Sequence, residues 1–172
     1  MGASIIDSLS TLYIMGLDQE FNEARNWIAE NFNFKNTCAA VSLFETTIRF
    51  LGGFLSAFAL SKDGIFLEKA VQVADALLPA FDTPHGIPYG WVTPCDKSVH
   101  GYTISLAALG SLHLEFAYLS AVTGREVYVD KVERIRSRLK TILGKDGLYK
   151  NSVAISSGTF ASGVFLQFRA NF

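Results

Sequence analysis

The segment VSLFETTIRFLGGFLSAF, residues 41–58, holds one carboxylate, Glu45, and one guanidinium, Arg49, among aromatic, aliphatic and small residues. Their i, i+4 spacing puts both on one side of a helix, where an ion pair between them is favourable. On a helical wheel Phe44, Ile48, Leu51, Leu55 and Phe58 form one stripe, flanked by Leu43, Phe50 and Phe54. Glu45, Arg49, Gly52 and Ser56 form a narrow second stripe, with Thr46 and Gly53 beside it. A plain reading is an amphipathic helix with a salt bridge on its wet side. The wet side is poor in long polar residues, however, and a helical glycine costs roughly 1 kcal/mol relative to alanine. The Gly52-Gly53 pair therefore points to close approach by another helix or a ligand.

Two further acids sit in apolar surroundings. Between Tyr102 and Val122 the charged residue is Glu115, sharing its face with Ala108, Leu112 and Leu119. Burying an unpaired carboxylate is costly, so Glu115 is expected to be paired, protonated or turned toward a cavity. Arg49 is a candidate partner, and a structural ion pair stands beside a functional role. Asp7 lies between Ile5-Ile6 and Ser8-Leu9, where a helix N-cap is the simpler alternative. Three acids and one arginine in apolar segments suit a carbohydrate pocket, because both side-chain types bind sugar hydroxyls through charge-assisted hydrogen bonds. Hydrolysis of a glycoside needs two carboxyl groups across the scissile bond, one as acid and one as base or nucleophile. Residue spacing does not say which acids face each other.

Other chemistries fare worse. The three histidines, His85, His100 and His113, are not spaced as metal ligands. His113 lies among leucines and reads as a core or interface residue. There is no Gly-x-Ser-x-Gly elbow, phosphate loop or dinucleotide fingerprint. A net charge of −1, without long charged blocks, gives no sign of a nucleic-acid or anionic-membrane partner. The two cysteines, Cys38 and Cys95, lack metal-like spacing and are expected to be free rather than paired. There is no signal peptide, and no uninterrupted apolar run of about 18 residues that would mark a membrane helix.

The elements that carry these residues are helical. The 172 residues, 49% hydrophobic and 18% charged, suffice for one domain with a large core. Apolar periodicity predicts helices over Ile5–Met15, from a cap at Asp18 through Ile28, Ser42–Leu60, Ile65–Leu78, Tyr102–Val122 and Glu126–Leu143. In the fourth, Phe66, Ala70, Val73 and Leu77 face inward, while Glu68, Lys69 and Gln72 face away. Pro79 to His100 contains all four prolines and reads as a long loop. Gly144, Asp146 and Gly147 stop the last helix, and beyond Leu148 the pattern weakens to loops or short strands. Antiparallel helices in series suit a bundle, a solenoid or an α/α barrel.

Six stretches in order resemble class I α-1,2-mannosidases, glycoside hydrolase family 47. They are IIDSLSTLYIMGL, FNEARNWI, VSLFETTIRFLGGFLSAF, FLEKAVQVADALLPAFDTPHGIPYG, LGSLHLEFAYLSAVTG and KDGLY, and they cover about residues 2–149. FETTIRFLGG and LLPAFDTPHGIPY are the most specific. The resemblance implies an all-α fold, part of an (α/α)7 barrel of antiparallel helical hairpins. It implies inverting removal of terminal α-1,2-linked mannose from high-mannose N-glycans in the ER or Golgi lumen, with a bound Ca2+. By motif, Glu45 matches the family's general acid, which acts directly or through water. Arg49, Asp7 and Glu115 match residues that line its sugar pocket.

The departures bear on function. Ser10 replaces the second aspartate of a VDSLDTL-type motif, and Ala108 stands where many members have glutamate. The loop from Val92 to Gly101 is shorter than usual and carries Pro94 and Cys95. After SGTF the family continues into a GDSFYEYL-type motif with a catalytic aspartate, whereas this chain reads ASGVFLQFRANF, a divergent tail over about residues 160–172. The base-side carboxylates, the Ca2+-holding threonine and the N-terminal membrane anchor have no counterpart in these residues. The expectation is a single, incomplete catalytic domain over residues 1–172, inactive by itself. A non-catalytic relative that binds mannose glycans in glycoprotein quality control is the alternative, and a helical scaffold binding partners through exposed faces is a third.

Overall fold

In the computed structural model the described residues are 2–144 and 147–161, with the backbone of 168–169. Six α-helices carry the described part of the chain: α1 (Ala3–Ile14), α2 (Asp18–Asn31), α3 (Leu43–Ser61), α4 (Gly64–Leu77), α5 (Leu106–Thr123) and α6 (Val127–Ile142). They form consecutive hairpins, α1–α2, α3–α4 and α5–α6. Helices α1, α3 and α5 stand side by side, and each hairpin partner packs against its own member of that row. This is a segment of an α/α barrel, and the resemblance's fold expectation holds.

Local chemistry sets the helix ends. Ser42 Oγ accepts from the Glu45 amide, Asp63 Oδ1 from Ile65 and Ser105 Oγ from Ala108, so each caps a helix start. Gly124, at φ 69°, closes α5 in the left-handed region. Three sequence readings need correction here. Asp18 is the first residue of α2 and makes no cap; Leu17 holds that position without a side-chain bond. Asp7 lies within α1, whose N-cap is Gly2, so it is no cap either. The fifth helix starts at Leu106, because Thr103–Ser105 is drawn into a strand and Tyr102 stands 93% exposed.

The core explains the apolar composition. Phe32, Phe34, Phe50 and Phe54 form one aromatic cluster, and Phe81, Phe116 and Tyr128 another. Each buried aromatic contributes roughly 2–3 kcal/mol by leaving water. Helices α3 and α5 are long and apolar enough to cross a membrane by length and composition. Their apolar faces pack into this core, and both carry charged residues. Lys69 and Gln72 do not face away as their wheel positions suggest. Lys69 is buried and Nζ donates to the Phe32 carbonyl at 3.2 Å, while Gln72 Oε1 accepts from the Phe34 amide at 3.3 Å. Together they clasp the chain between α2 and α3.

The stretch read as a long loop is partly ordered. A 3-10 turn, Leu78–Phe81, leads into β2 (Trp91–Val92) and β3 (Val99–His100), which pair antiparallel. β2 also pairs with β1 (Val41–Ser42), directly before α3. Cys38 and Cys95 form a disulfide with Cα atoms 5.1 Å apart, against the expectation of free thiols. Residue spacing could not reveal it, because the β-sheet brings the two together. After α6, β5 (Leu148–Tyr149) pairs with β7 (Phe168–Arg169), and β6 (Ser152–Ala154) with β4 (Thr103–Ser105). Asp146, and residues 162–167 and 170–172 of the divergent tail, lie outside the described residues.

Candidate functional site

The row formed by α1, α3 and α5 carries all four candidate side chains: Asp7 on α1, Glu45 and Arg49 on α3, and Glu115 on α5. The Ser42 cap and the β1–β2–β3 sheet fix the start of α3, where Leu43 N donates to the Gly90 carbonyl at 2.9 Å. One turn later the helix widens into a π-turn over Thr47–Leu51, before regular α-helix resumes at Gly52. Such turns are rare and occur often at functional sites. Arg49 lies within it.

Close packing brings α1 to α3. A Cβ added at Gly53 would lie 2.9 Å from Ile6 Cγ2 and 3.0 Å from the Ile6 carbonyl oxygen. Only glycine permits this approach. It meets the packing requirement that the Gly-Gly pair suggests. Across the same seam Arg49 joins both acids. Its Nε donates to Glu45 Oε2 at 2.7 Å and its Nη1 to Asp7 Oδ2 at 2.9 Å. The two carboxylates hold the guanidinium's proton more firmly than usual, Glu45 first. All three side chains remain about half exposed, at 50% for Arg49, 50% for Glu45 and 44% for Asp7. Among the described residues Asp7 Oδ1, Glu45 Oε1 and Arg49 Nη2 make no protein hydrogen bond, so the cluster retains two acceptors and a donor.

Glu115 is held differently. Its Oε2 is buried without a hydrogen-bond partner among the described residues. Burial lifts its carboxyl above the ordinary value. Arg49, the partner that sequence offered, makes no ion pair with it, because both of its described bonds go to Asp7 and Glu45. Glu115 Oε1 lies 3.5 Å from where a Gly52 Cβ would be, so the carboxylate rests against the glycine that follows the π-turn. Three of the four sequence-derived candidates thus form one bonded cluster, and the fourth abuts the same helix turn.

His113 is an interface residue: Nε2 lies 2.9 Å from Glu133 Oε1 on α6. The resemblance also implies Ca2+, an ion that takes six to eight oxygen ligands. The acid cluster does not fit it, because Arg49 already occupies the space between Asp7 and Glu45 with a positive charge. No group of three His, Cys, Asp or Glu side chains among the described residues forms a metal-binding set.

Comparison with known proteins gives a consistent picture. The sequence profile of glycosyl hydrolase family 47 matches residues 1–170. A mannosyl-oligosaccharide alpha-1,2-mannosidase IA of Spodoptera frugiperda is 49% identical over 163 residues, covering 92% of this chain and 24% of that protein. A human mannosyl-oligosaccharide 1,2-alpha-mannosidase IC is 43% identical over 169 residues, covering 92% of this chain and 26% of that protein. Among solved structures, an alpha-1,2-mannosidase from Trichoderma reesei superposes with a TM-score of 0.84 at 31% identity, over 93% of this chain and 37% of that one. The chain spans about a quarter of the length of the curated relatives it matches.

Proposed function

Since the chain belongs to glycosyl hydrolase family 47, we propose that it supplies the acid side of an α-1,2-mannosidase pocket. The reaction is inverting hydrolysis of terminal α-1,2-linked mannose on high-mannose N-glycans. The observation that carries this reading is the Asp7–Arg49–Glu45 cluster, bonded across α1 and α3 yet half exposed. A sugar ring offers hydroxyls that donate to Asp7 Oδ1 and Glu45 Oε1 and accept from Arg49 Nη2. Glu115 adds a buried carboxyl to the same helix turn, its pKa raised above the ordinary value by desolvation.

Glu45 is the proposed general acid. Its Oε2 is spent on Arg49, so Oε1 faces the glycosidic oxygen or a water that relays a proton to it. Inversion needs a second carboxylate across the sugar, with a water between, and that base comes from outside the residues described here. The described residues offer no ligand set for the Ca2+ that the resemblance implies, so no step is assigned to it. A disulfide between Cys38 and Cys95 supports an oxidising compartment, in line with the ER or Golgi lumen.

A second reading is favoured by one observation. Glu45 acts as an acceptor from Arg49, an arrangement suited to holding a sugar as well as to protonating it. A mannose-glycan-binding relative without hydrolysis fits that geometry. The test is mannose release from a high-mannose oligosaccharide, by this chain alone and by the same chain joined to the remaining length of a family enzyme. The mannosidase reading expects release from the joined form only, falling at least ~100-fold in Glu45→Gln. Saturable glycan binding with no release in either form supports the second reading. No binding and no release overturns both.

A further inference from the structure

A second polar site lies away from the acid cluster, between the loop after the 3-10 turn and the last turns of α6. It is a cleft of about 430 Å3 lined by Thr83, His85, Gly86, Arg134, Ser137, Arg138 and two neighbours. Among the described residues no carboxylate lines it. Two cations on one helix face, with hydroxyls between them and no acid, form an anion-binding arrangement.

The arginines of the molecule make the contrast plain. Arg25, Arg49, Arg125 and Arg136 each pair with an Asp or Glu. Among the described residues Arg134 and Arg138 pair with no acid, and both line this cleft. Arg138 is nonetheless fixed: Nε donates to the Gly158 carbonyl at 2.8 Å and Nη2 to the Ser157 carbonyl at 3.0 Å. Neutral carbonyls orient the guanidinium without cancelling its charge. Arg134 makes no hydrogen bond or ion pair among the described residues, and Asp130, one turn earlier, does not reach it. A guanidinium held by dipoles beside a second unpaired one suits a planar, multidentate oxyanion better than a carbonyl or a sugar hydroxyl.

Two glycines in left-handed conformation bring the walls together. Gly86, at φ 74°, lies against Arg134, where an added Cβ would come within 3.2 Å of Arg134 Cβ. Gly158, at φ 63°, sits beneath His85 and Arg138, where a Cβ would meet His85 Cβ at 2.5 Å and Arg138 Nε at 2.8 Å. A side chain at Gly158 would push against both His85 and Arg138, two of the residues that line the cleft. The His85 ring and the Ser137 hydroxyl, with no described hydrogen bond of their own, complete the donor set. The Thr83 and Thr141 hydroxyls already donate to the Ile87 and Arg138 carbonyls.

We propose that the Arg134–Arg138–His85 cleft binds a phosphate or sulfate group, free or carried as a monoester. The inference does not rest on the mannosidase reading. The test is titration of the chain at constant ionic strength with inorganic phosphate, inorganic sulfate, a hexose 6-phosphate and the same hexose unphosphorylated. Binding is followed by calorimetry and by the His85 ring resonances. Saturable binding of the oxyanions, with no response to the neutral hexose, is expected. Arg134→Gln should weaken it at least ~10-fold and Arg134→Glu should abolish it. Arg134 is exposed and makes no hydrogen bond or ion pair among the described residues, so neither change threatens the fold. An ester that binds at least ~10-fold tighter than free phosphate identifies an esterified ligand, and equal affinities identify the free anion. Absence of saturable binding, or binding unchanged in Arg134→Glu, overturns the proposal.

Discussion

Gly52 and Gly53 are neighbours in one helix, yet the structure assigns them opposite responses to alanine. At Gly53 the new Cβ would lie 2.9 Å from Ile6 Cγ2 and 3.0 Å from the Ile6 carbonyl oxygen, against 3.4–4 Å for an ordinary contact. The methyl on Ile6 can shift, but the carbonyl belongs to the backbone of α1. The two helices must therefore part by about 0.5 Å. Overpacking of this kind costs up to ~3 kcal/mol, offset by ~1 kcal/mol of helix propensity. A net loss of about 2 kcal/mol corresponds to a Tm decrease of roughly 4–8 °C for a domain of this size. Asp7 adjoins Ile6, so the same parting stretches the 2.9 Å Arg49–Asp7 bond beyond a strong hydrogen bond. At Gly52 the nearest atoms, Thr47 O and Glu115 Oε1, both lie 3.5 Å away, an ordinary contact. Gly52→Ala should leave stability unchanged or raise it by up to ~1 kcal/mol. Thermal unfolding of both variants, with mannoside affinity measured alongside, checks the pair. Equal stability of Gly53→Ala and the parent, or equal losses in both variants, would refute the reasoning.

Further outcomes follow from the same geometry. Replacing Cys38 and Cys95 by serine releases a crosslink across 57 residues, which the chain-entropy relation puts at about 4 kcal/mol; denaturant unfolding with and without reductant measures it. Glu115 holds its proton more tightly folded than unfolded, so its contribution is most favourable at acid pH and is lost as pH rises through the raised folded pKa. Glu115→Gln should therefore gain stability relative to the parent above that point and not below it, as pH-dependent unfolding would reveal. Arg49→Lys keeps the charge but loses the planar fork that meets Glu45 and Asp7 from separate nitrogens and, among the described residues, leaves Nη2 free, so mannoside affinity should fall ~10-fold or more with little change in Tm. Tyr128 is fully buried and its hydroxyl donates to Asp75 Oδ1 at 2.7 Å, and burial together with Asp75 pushes the phenol far above its usual range. Tyr128→Phe should cost about 1 kcal/mol in unfolding free energy, and Tyr128→Ala about 3–5.

Most of the helical framework was legible in the sequence because it repeats with the helical period. Phe66, Ala70, Val73 and Leu77 fall on the buried face of α4 as their spacing requires. Lys69 and Gln72 were misplaced because a wheel records direction, while the chain between α2 and α3 folds back over that direction and supplies bonding partners. Two-residue strands such as β1 and β2 carry no period of their own, so the clamp at the start of α3 was invisible, and the disulfide with it. The π-turn was equally hidden, since an extra residue in a helical turn leaves no compositional mark. The candidate residues came from motif resemblance and from charge in apolar segments. Their pairing was decided by tertiary contact. Gly53 lets α1 close on α3, so Arg49 bonds Asp7 as well as Glu45 and does not reach Glu115.

The most direct test of the acid cluster as a sugar site is to watch the Arg49 Nε–H resonance while mannosyl-α-1,2-mannose is added to the protein. Its donor contact with Glu45 Oε2 makes this proton a reporter at the centre of the cluster. The account expects a saturable shift, abolished in Arg49→Lys, where the reporter is lost, and weakened in Asp7→Asn when followed at Arg49. A disaccharide that binds without moving this resonance, or fails to bind to a protein whose Arg49 signal is intact, would contradict it.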